Sequence, residues 1–344
     1  MKDKFGYGII GCGVIAPWHA RAVRNLPNAD LIAVCDIELP KAEKIKDEFG
    51  AQYVYEDFNE LLARDDIDVI SICTPSGHHH EVAIAAAKAG KHVLSEKPLD
   101  VTHEHMDAMI KACRDANVKL ACIFQRRTSR LWQLVKQAVD EQRFGKLILG
   151  SAYLKYFRSQ EYYDSAGWRG TWALDGGGAL MNQGVHLIDL FRWIMGAPDT
   201  IFAFADHLAR KIEVEDTCVA SFKFANGAFG TLEGTTSVTP GLNHRMELHG
   251  ENGSIRIDGE NIVSWDVPGE DKDEIAKQLT DNIGDAASDP TAISGDGHQM
   301  QIADLLAAIN EDREPMVNGE EARKAVEVIL AIYESARTGA PVKL

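Results

Sequence analysis

A glycine cluster near the start of the chain limits its possible folds more than any other feature. Gly8-Ile9-Ile10-Gly11-Cys12-Gly13-Val14-Ile15-Ala16 lies between an apolar run, Phe5–Gly11, and an amphipathic stretch, Ala16–Leu26. The G-x-G-x-x-A pattern joins a strand to a helix. Gly11 permits the tight turn, Gly13 lets the backbone approach a pyrophosphate, and Ala16 keeps the helix close to the sheet. The helix start offers unpaired N–H groups and a positive dipole end to phosphates. Asp36 ends the next apolar run, Leu31–Asp36, at the distance where a carboxylate meets ribose hydroxyls and repels a 2′-phosphate. Together these residues imply a dinucleotide site that favours NAD over NADP.

The same rhythm continues. Pro40–Phe49 reads as a helix, Val69–Cys73 as a strand buried on both faces, and His79–Ala89 as a helix ended by Gly90. Lys91–Ser95, Thr102–Ala116 and Val118–Ile123 read as strand, helix and strand, which predicts a doubly wound parallel sheet. Past Phe124 the pattern changes. A helix is expected over Ser129–Gln142, a strand over Leu147–Phe157, and a helical stretch from the glycines at Asp175–Gly178 to Met195. Strand-like segments follow at Ile201–Asp206, Thr217–Phe224, Ala228–Ser237, Arg245–His249, Ser254–Asp258 and Ile262–Trp265. Asn226-Gly227 and Asn252-Gly253 fall between them as hairpin turns do. Pro268–Gly297 reads as a polar loop, and helices near His298–Glu311 and Glu320–Thr338 close the chain. The expected fold is α/β: a Rossmann domain over 1–124, then an α+β domain over 125–344 with a large, mostly antiparallel open sheet. The closing helices are free to pack back on the first domain.

At 344 residues two cores are the expectation. A net charge of −16 argues against a nucleic-acid partner. The start of the sequence lacks the build of a signal peptide, and no apolar run is long enough to span a bilayer. Six scattered cysteines, none in a C-x-x-C pair, read as reduced thiols of a cytoplasmic protein.

Thr74-Pro75 follows the Val69–Cys73 strand at its carboxyl end, where open sheets bind ligands. His78-His79-His80 comes next, but three consecutive residues point in different directions, and no carboxylate–histidine set accompanies them at ligand spacing; no metal is expected. Glu96-Lys97-Pro98 ends the following strand. The Lys97 ammonium there is placed to donate to a substrate hydroxyl and stabilise charge developing on oxygen.

Thr74-Pro75-Ser76-Gly77-His78-His79, Ala89-Gly90-Lys91-His92-Val93-Leu94-Ser95-Glu96-Lys97-Pro98-Leu99 and Gly176-Gly177-Gly178-Ala179-Leu180-Met181-Asn182-Gln183-Gly184-Val185-His186-Leu187-Ile188-Asp189 resemble the glucose–fructose oxidoreductase/inositol dehydrogenase (Gfo/Idh/MocA) family. The likeness extends through His298, Gln301 and the closing helices. It implies a NAD(H)-dependent oxidoreductase acting on a secondary hydroxyl or ketone of a sugar, glycoside, nucleotide sugar or cyclitol. It also implies that Lys97 contacts the reacting hydroxyl, that His186 moves its proton, and that the open sheet mediates a homo-oligomer, expected as a tetramer. Many members carry aspartate four residues before this histidine; here Asn182 stands there. Residues i and i+4 share a helix face, so Asn182 and His186 can address one substrate, but asparagine supplies no charge. The departure weakens an assignment as an inositol dehydrogenase.

The expected cofactor set is Gly11, Gly13, Val14, Ile15, Asp36, Thr74, Pro75, His79, Glu96 and Lys97. The catalytic pair is Lys97 and His186. Asn182, Trp168, Arg169, Tyr156 and His298 are substrate candidates, with Trp172, Arg158 and Asp189 weaker ones. Two rivals stay open at this point: a NAD-dependent enzyme that oxidises its glycoside only transiently, and a non-catalytic NAD sensor.

Overall fold

The computed structural model describes residues 2–277, 279 and 296–344. The chain gathers into two compact units. The first runs through Gln125 and takes back a later stretch ending at Arg323; the second starts at Arg126 and takes the chain end from Lys324.

In the first unit β1 (Phe5–Ile10), α1 (Ala16–Asn25), β2 (Ala29–Cys35), α2 (Leu39–Phe49), β3 (Tyr53–Tyr55), α3 (Phe58–Leu62), β4 (Val69–Ile72), α4 (His79–Lys88), β5 (His92–Ser95), α5 (His103–Asp115) and β6 (Leu120–Cys122) follow in order. The six strands form one sheet in the order β3-β2-β1-β4-β5-β6, every pair parallel. β1 and β4 are buried along their whole length, as their unbroken apolar runs require. The strand order turns back between them, so their carboxyl ends flank the crevice where such sheets bind ligands. β3 and α3 had no counterpart in the sequence reading: three half-exposed residues and five residues are too short for a periodic signal.

The second unit begins with α6 (Arg130–Asp140), β7 (Leu147–Lys155) and the short α7 (Gln160–Asp164), then a π-helical turn at Ala179–Gly184 that runs straight into α8 (Val185–Met195). β8 (Pro198–Asp206), β9 (Thr217–Phe224), β10 (Phe229–Thr235), β11 (Arg245–Gly250), β12 (Gly253–Asp258), β13 (Asn261–Asp266) and the short helix α9 (Lys272–Lys277) follow. Of the expected Pro268–Gly297 loop, 278 and 280–295 lie outside the described residues.

Helix α10 (Asp296–Glu311) belongs to the first unit and packs on α1; its Ile302, Leu305 and Leu306 are fully buried in that unit's core. Each such side chain contributes roughly 1.5–3 kcal/mol, which is why a helix so late in the sequence stays with the first sheet. α11 (Gly319–Thr338) and β14 (Val342–Lys343) end the chain.

The second sheet runs β13-β12-β11-β7-β10-β9-β8-β14, antiparallel except for the parallel β7–β10 pair. One face packs on α8. Gly150 and Gly230 are paired in this sheet, and a Cβ on Gly150 would stand 2.5 Å from the Met195 sulfur, one on Gly230 3.0 Å from the Phe191 ring. Glycine at both positions therefore sets how close α8 comes. The alternate residues face outward within this unit: Leu149 beside Phe229, and Phe204 beside Val219, all exposed.

Candidate active site

The cofactor cradle forms at the carboxyl ends of β1, β2 and β4. Gly11 has φ of +91°, and a Cβ there would meet the Cys73 and Thr74 backbone at 2.6–2.7 Å, so only glycine fits. Gly13 has nothing within 4 Å of where its Cβ would stand: the space is open where a pyrophosphate would lie. Val14 is exposed and Ile15 half-buried at the start of α1. Asp36 does a second job that the sequence did not show. Its carboxylate accepts from Cys12 N at 2.7 Å and Glu38 N at 2.8 Å, tying the glycine turn to the end of β2. Each oxygen keeps a lone pair for a ribose hydroxyl. Thr74 Oγ1 is buried with no hydrogen-bond partner among the described residues. An open glycine turn, an acidic residue after β2 and an unsatisfied hydroxyl fit a bound dinucleotide.

His79 and Glu96 require a correction. Both were assigned to the cofactor; their side chains face protein. The His79 ring is buried, with Nδ1 2.9 Å from Pro98 O and Nε2 3.1 Å from Thr74 O. It braces the Thr74-Pro75 loop against the Lys97-Pro98 turn, and burial pushes its pKa down, so the neutral ring donates one proton. Glu96 Oε1 lies 2.9 Å from His19 Nε2 and 3.3 Å from His298 Nε2, while Oε2 accepts from Lys97 N at 3.1 Å. Burial acts to raise the Glu96 pKa, but the two imidazoles outweigh it and hold the carboxyl well below its ordinary range. His19 continues the chain to Ser71 Oγ at 2.8 Å, and Ser71 to the Tyr7 hydroxyl at 2.9 Å. His298, expected at the substrate, is likewise corrected: it is 1% exposed and edge-on to His19, so it supports Glu96 from inside. His19 was missed because a lone histidine on an amphipathic helix gives no signal of its own. The result is a buried polar network beneath the backbone of Lys97.

His80 and His105 also find a carboxylate that the sequence did not offer at ligand spacing. Their Nδ1 atoms lie 3.1 and 2.9 Å from the two oxygens of buried Asp100, and the rings stack at 3.6 Å. Asp100 also accepts from His80 N and Val101 N, so this group clamps the starts of α4 and α5.

In the second unit, Asn182 lies in the π-helical turn and His186 in the first turn of α8, both half-buried. Local π-helical winding marks functional stretches in many helices. The turn is held from below: buried Glu215 accepts from Gly178 N at 2.9 Å, Leu180 N at 2.8 Å and the Tyr333 hydroxyl at 2.9 Å. Burial pushes Glu215 up to about 7 despite these donors.

Two further links reach Asn182 and its neighbour. Asp175 accepts from Asn182 Nδ2 at 2.6 Å and from Gly170 N at 2.8 Å. The Tyr162 hydroxyl lies 3.0 Å from Gln183 Nε2 and 2.5 Å from an Arg169 nitrogen. The Arg169 guanidinium sits 4.3 Å from the Tyr162 ring centre and 4.8 Å from that of Trp168, and Arg158 sits 5.5 Å from Tyr162. Trp168, Arg169 and Asn182 are thus brought into one contiguous wall, with Tyr162 and Gln183 as members that sequence reasoning missed. Trp172 stacks edge-on with Tyr333 instead.

Tyr156 is buried, its hydroxyl 3.4 Å from His244 Nδ1, and His244 Nε2 lies 2.7 Å from Arg126. His244 is held well below the usual histidine range, first by burial, then by Arg126, with His186 adding to the effect. Asp189 makes a paired bond to Arg127, at 2.8 and 2.6 Å, buried on both sides, and serves as an ion-pair anchor of α8.

The comparisons with known proteins agree with this architecture. Residues 5–124 match the oxidoreductase family with NAD-binding Rossmann fold, and residues 132–256 match the GFO/IDH/MocA C-terminal domain. The solved structure of the WlbA dehydrogenase from Bordetella pertussis, in complex with NADH and UDP-GlcNAcA, is 33% identical, with a TM-score of 0.89 and 99% of each chain covered. Myo-inositol 2-dehydrogenase of Thermotoga maritima is 28% identical over 98% of both chains. D-glucoside 3-dehydrogenase of Escherichia coli is 27% identical over 98% of this chain and 96% of its own. The chain belongs to the Gfo/Idh/MocA family and is an NAD-binding oxidoreductase. No described helix is long and apolar enough to cross a membrane.

Proposed function

We propose that this enzyme oxidises one secondary hydroxyl of a nucleotide-linked sugar acid, with Lys97 and His186 acting on the same chemical step. The observation that carries the choice of substrate is the pair of guanidiniums, Arg158 and Arg169, flanking Tyr162 beside the Asn182–Gln183 turn. In a chain of net charge −16, half-buried Arg169 on this wall with buried Arg158 behind Tyr162 favours an anionic ligand, and a guanidinium fork matches a carboxylate. The likeness to a relative solved with UDP-GlcNAcA supports the same class.

NAD, when bound, supplies the hydride acceptor. The chain does the rest: Lys97 donates a hydrogen bond to the reacting oxygen and stabilises its developing charge, and neutral His186 removes its proton. Asn182 orients the sugar from the same turn as His186. The buried Glu96 network keeps the backbone that carries Lys97 from shifting, and Asp36 selects NAD over NADP. The exposed pairs Leu149–Phe229 and Phe204–Val219, on the outward face of the second sheet, receive a second copy of this chain, in a homotetramer. Six free, buried cysteines support a cytoplasmic location.

The test compares turnover of UDP-GlcNAcA with that of the same nucleotide sugar lacking the carboxylate, in the unmodified enzyme and in Arg169→Gln. Preference for the acid, reduced in the variant, is the expected result. Equal turnover of both compounds by the unmodified enzyme contradicts the anionic-substrate reading.

A further inference from the structure

Asn182 supplies no charge itself, but a buried carboxylate lies against its side chain. Asp175, 1% exposed, lies seven residues earlier in sequence and 2.6 Å away in space. Its other oxygen is fixed by Gly170 N at 2.8 Å. A carboxylate only accepts hydrogen bonds, so the Asn182 atom that faces it is the NH2 group, and the planar amide turns its carbonyl oxygen the other way. Asp175 is buried and Asn182 half-buried, so the amide relays a fixed orientation from the interior towards the surface of this unit.

We propose that Asp175 is a positioning residue: its buried carboxylate locks the Asn182 amide so that the carbonyl oxygen accepts from a substrate hydroxyl. The proposal rests on the reading that Asn182 meets the sugar, and it assigns a role in the reaction to a residue that touches no substrate. The carboxylate is kept inside and a neutral acceptor is presented outside.

The swap of the two residues is the decisive experiment, with NAD and UDP-GlcNAcA as the assayed pair. In Asp175→Asn, the new amide keeps its oxygen on Gly170 N and points its NH2 at Asn182. Two donors then face each other, and Asn182 relieves the conflict by turning over, which presents NH2 to the substrate. The sugar KM should rise about tenfold, as when the acceptor of a substrate hydrogen bond is replaced by a donor, with NAD affinity unchanged. In Asn182→Asp two carboxylates meet, so kcat/KM should gain a fall with rising pH, as the one shared proton is lost, laid over the acidic limb set by His186. A merely structural role does not add that second limb. The double variant D175N/N182D restores donor facing acceptor and returns an outward acceptor oxygen. Its kcat/KM should come back to within roughly threefold of the unmodified enzyme, since coupled neighbours compensate.

Asp175→Asn with an unchanged sugar KM overturns the proposal, as does a double variant no better than the worse single one. Asn182→Asp keeps the test open should Asp175→Asn not fold; an unchanged pH profile there also overturns the proposal. No turnover of UDP-GlcNAcA by the unmodified enzyme defeats the functional reading and this proposal with it. Turnover by the unmodified enzyme with an indifferent Asp175→Asn defeats this proposal alone.

Discussion

Glu215 makes the stability of the second unit depend on pH in a direction opposite to most carboxylates. Its ordinary pKa of 4.5 is raised to about 7, first by burial, while Leu180 N, Gly178 N and the Tyr333 hydroxyl pull it back only in part. A folded-state pKa above the unfolded value means the protonated form is the one the fold prefers. The stabilisation is therefore complete below about pH 4.5 and is lost as pH rises through about 7. The distance between those two values corresponds to about 3 kcal/mol. Glu215→Gln cannot ionise, so that slope should vanish. The variant also leaves one backbone N–H facing an amide NH2, which costs about 1–3 kcal/mol at every pH. Only the slope tests the argument. Denaturant unfolding at about pH 5 and about pH 8, followed by a probe of the second unit, should show the difference between the two pH values shrinking by about 2.5 kcal/mol in the variant. If Glu215→Gln retains the slope of the unmodified protein, Glu215 is ionised throughout and the desolvation argument fails.

The other expectations concern the cofactor, the proton and the assembly. Asp36→Ser should weaken NAD binding and relax discrimination against NADP; it also removes an acceptor from Cys12 N, so the loss for NAD should exceed that of a ribose contact alone. Equal titration affinities for the two cofactors in the unmodified enzyme contradict the selectivity argument. His186→Ala should lower kcat on the order of a hundredfold or more with NAD binding intact, and the acidic limb of the rate profile should disappear. A double variant with Lys97→Ala should lose less than the product of the single losses, because groups that serve one step are not additive. Light scattering should find a species near four times the 37.8 kDa chain; a single 37.8 kDa species at working concentration contradicts the oligomer proposal.

The first sheet was legible because each long strand is an unbroken apolar run and the turn after β1 carries its chemistry in its glycines. The strands of the second sheet were legible because they alternate, and because Asn226-Gly227 and Asn252-Gly253 mark the hairpins. β3 was hidden by brevity. The π-helical turn was hidden because a glycine-rich, half-polar entry has no period to read. The site residues divide the same way. Gly11 and Asp36 shape the turn after β1 through local backbone geometry, which spacing reveals. His19, Asp175, Glu215 and His244 act through partners far away in sequence, and no local pattern announces them. His79 and Glu96 were placed at the cofactor because they follow strand ends, and His298 at the substrate because it opens a closing helix; here buried partners bonded to their side chains pull them inward.

The central claim is that this chain couples NAD reduction to net oxidation of a sugar hydroxyl, with His186 as the proton acceptor. The most direct measurement follows nicotinamide absorbance while the unmodified enzyme and His186→Ala act on UDP-GlcNAcA, with the product quantified in parallel. The account predicts one NADH formed for each ketone by the unmodified enzyme, and a rate lower by on the order of a hundredfold in the variant. Product without NADH, or equal rates in the two proteins, would contradict it.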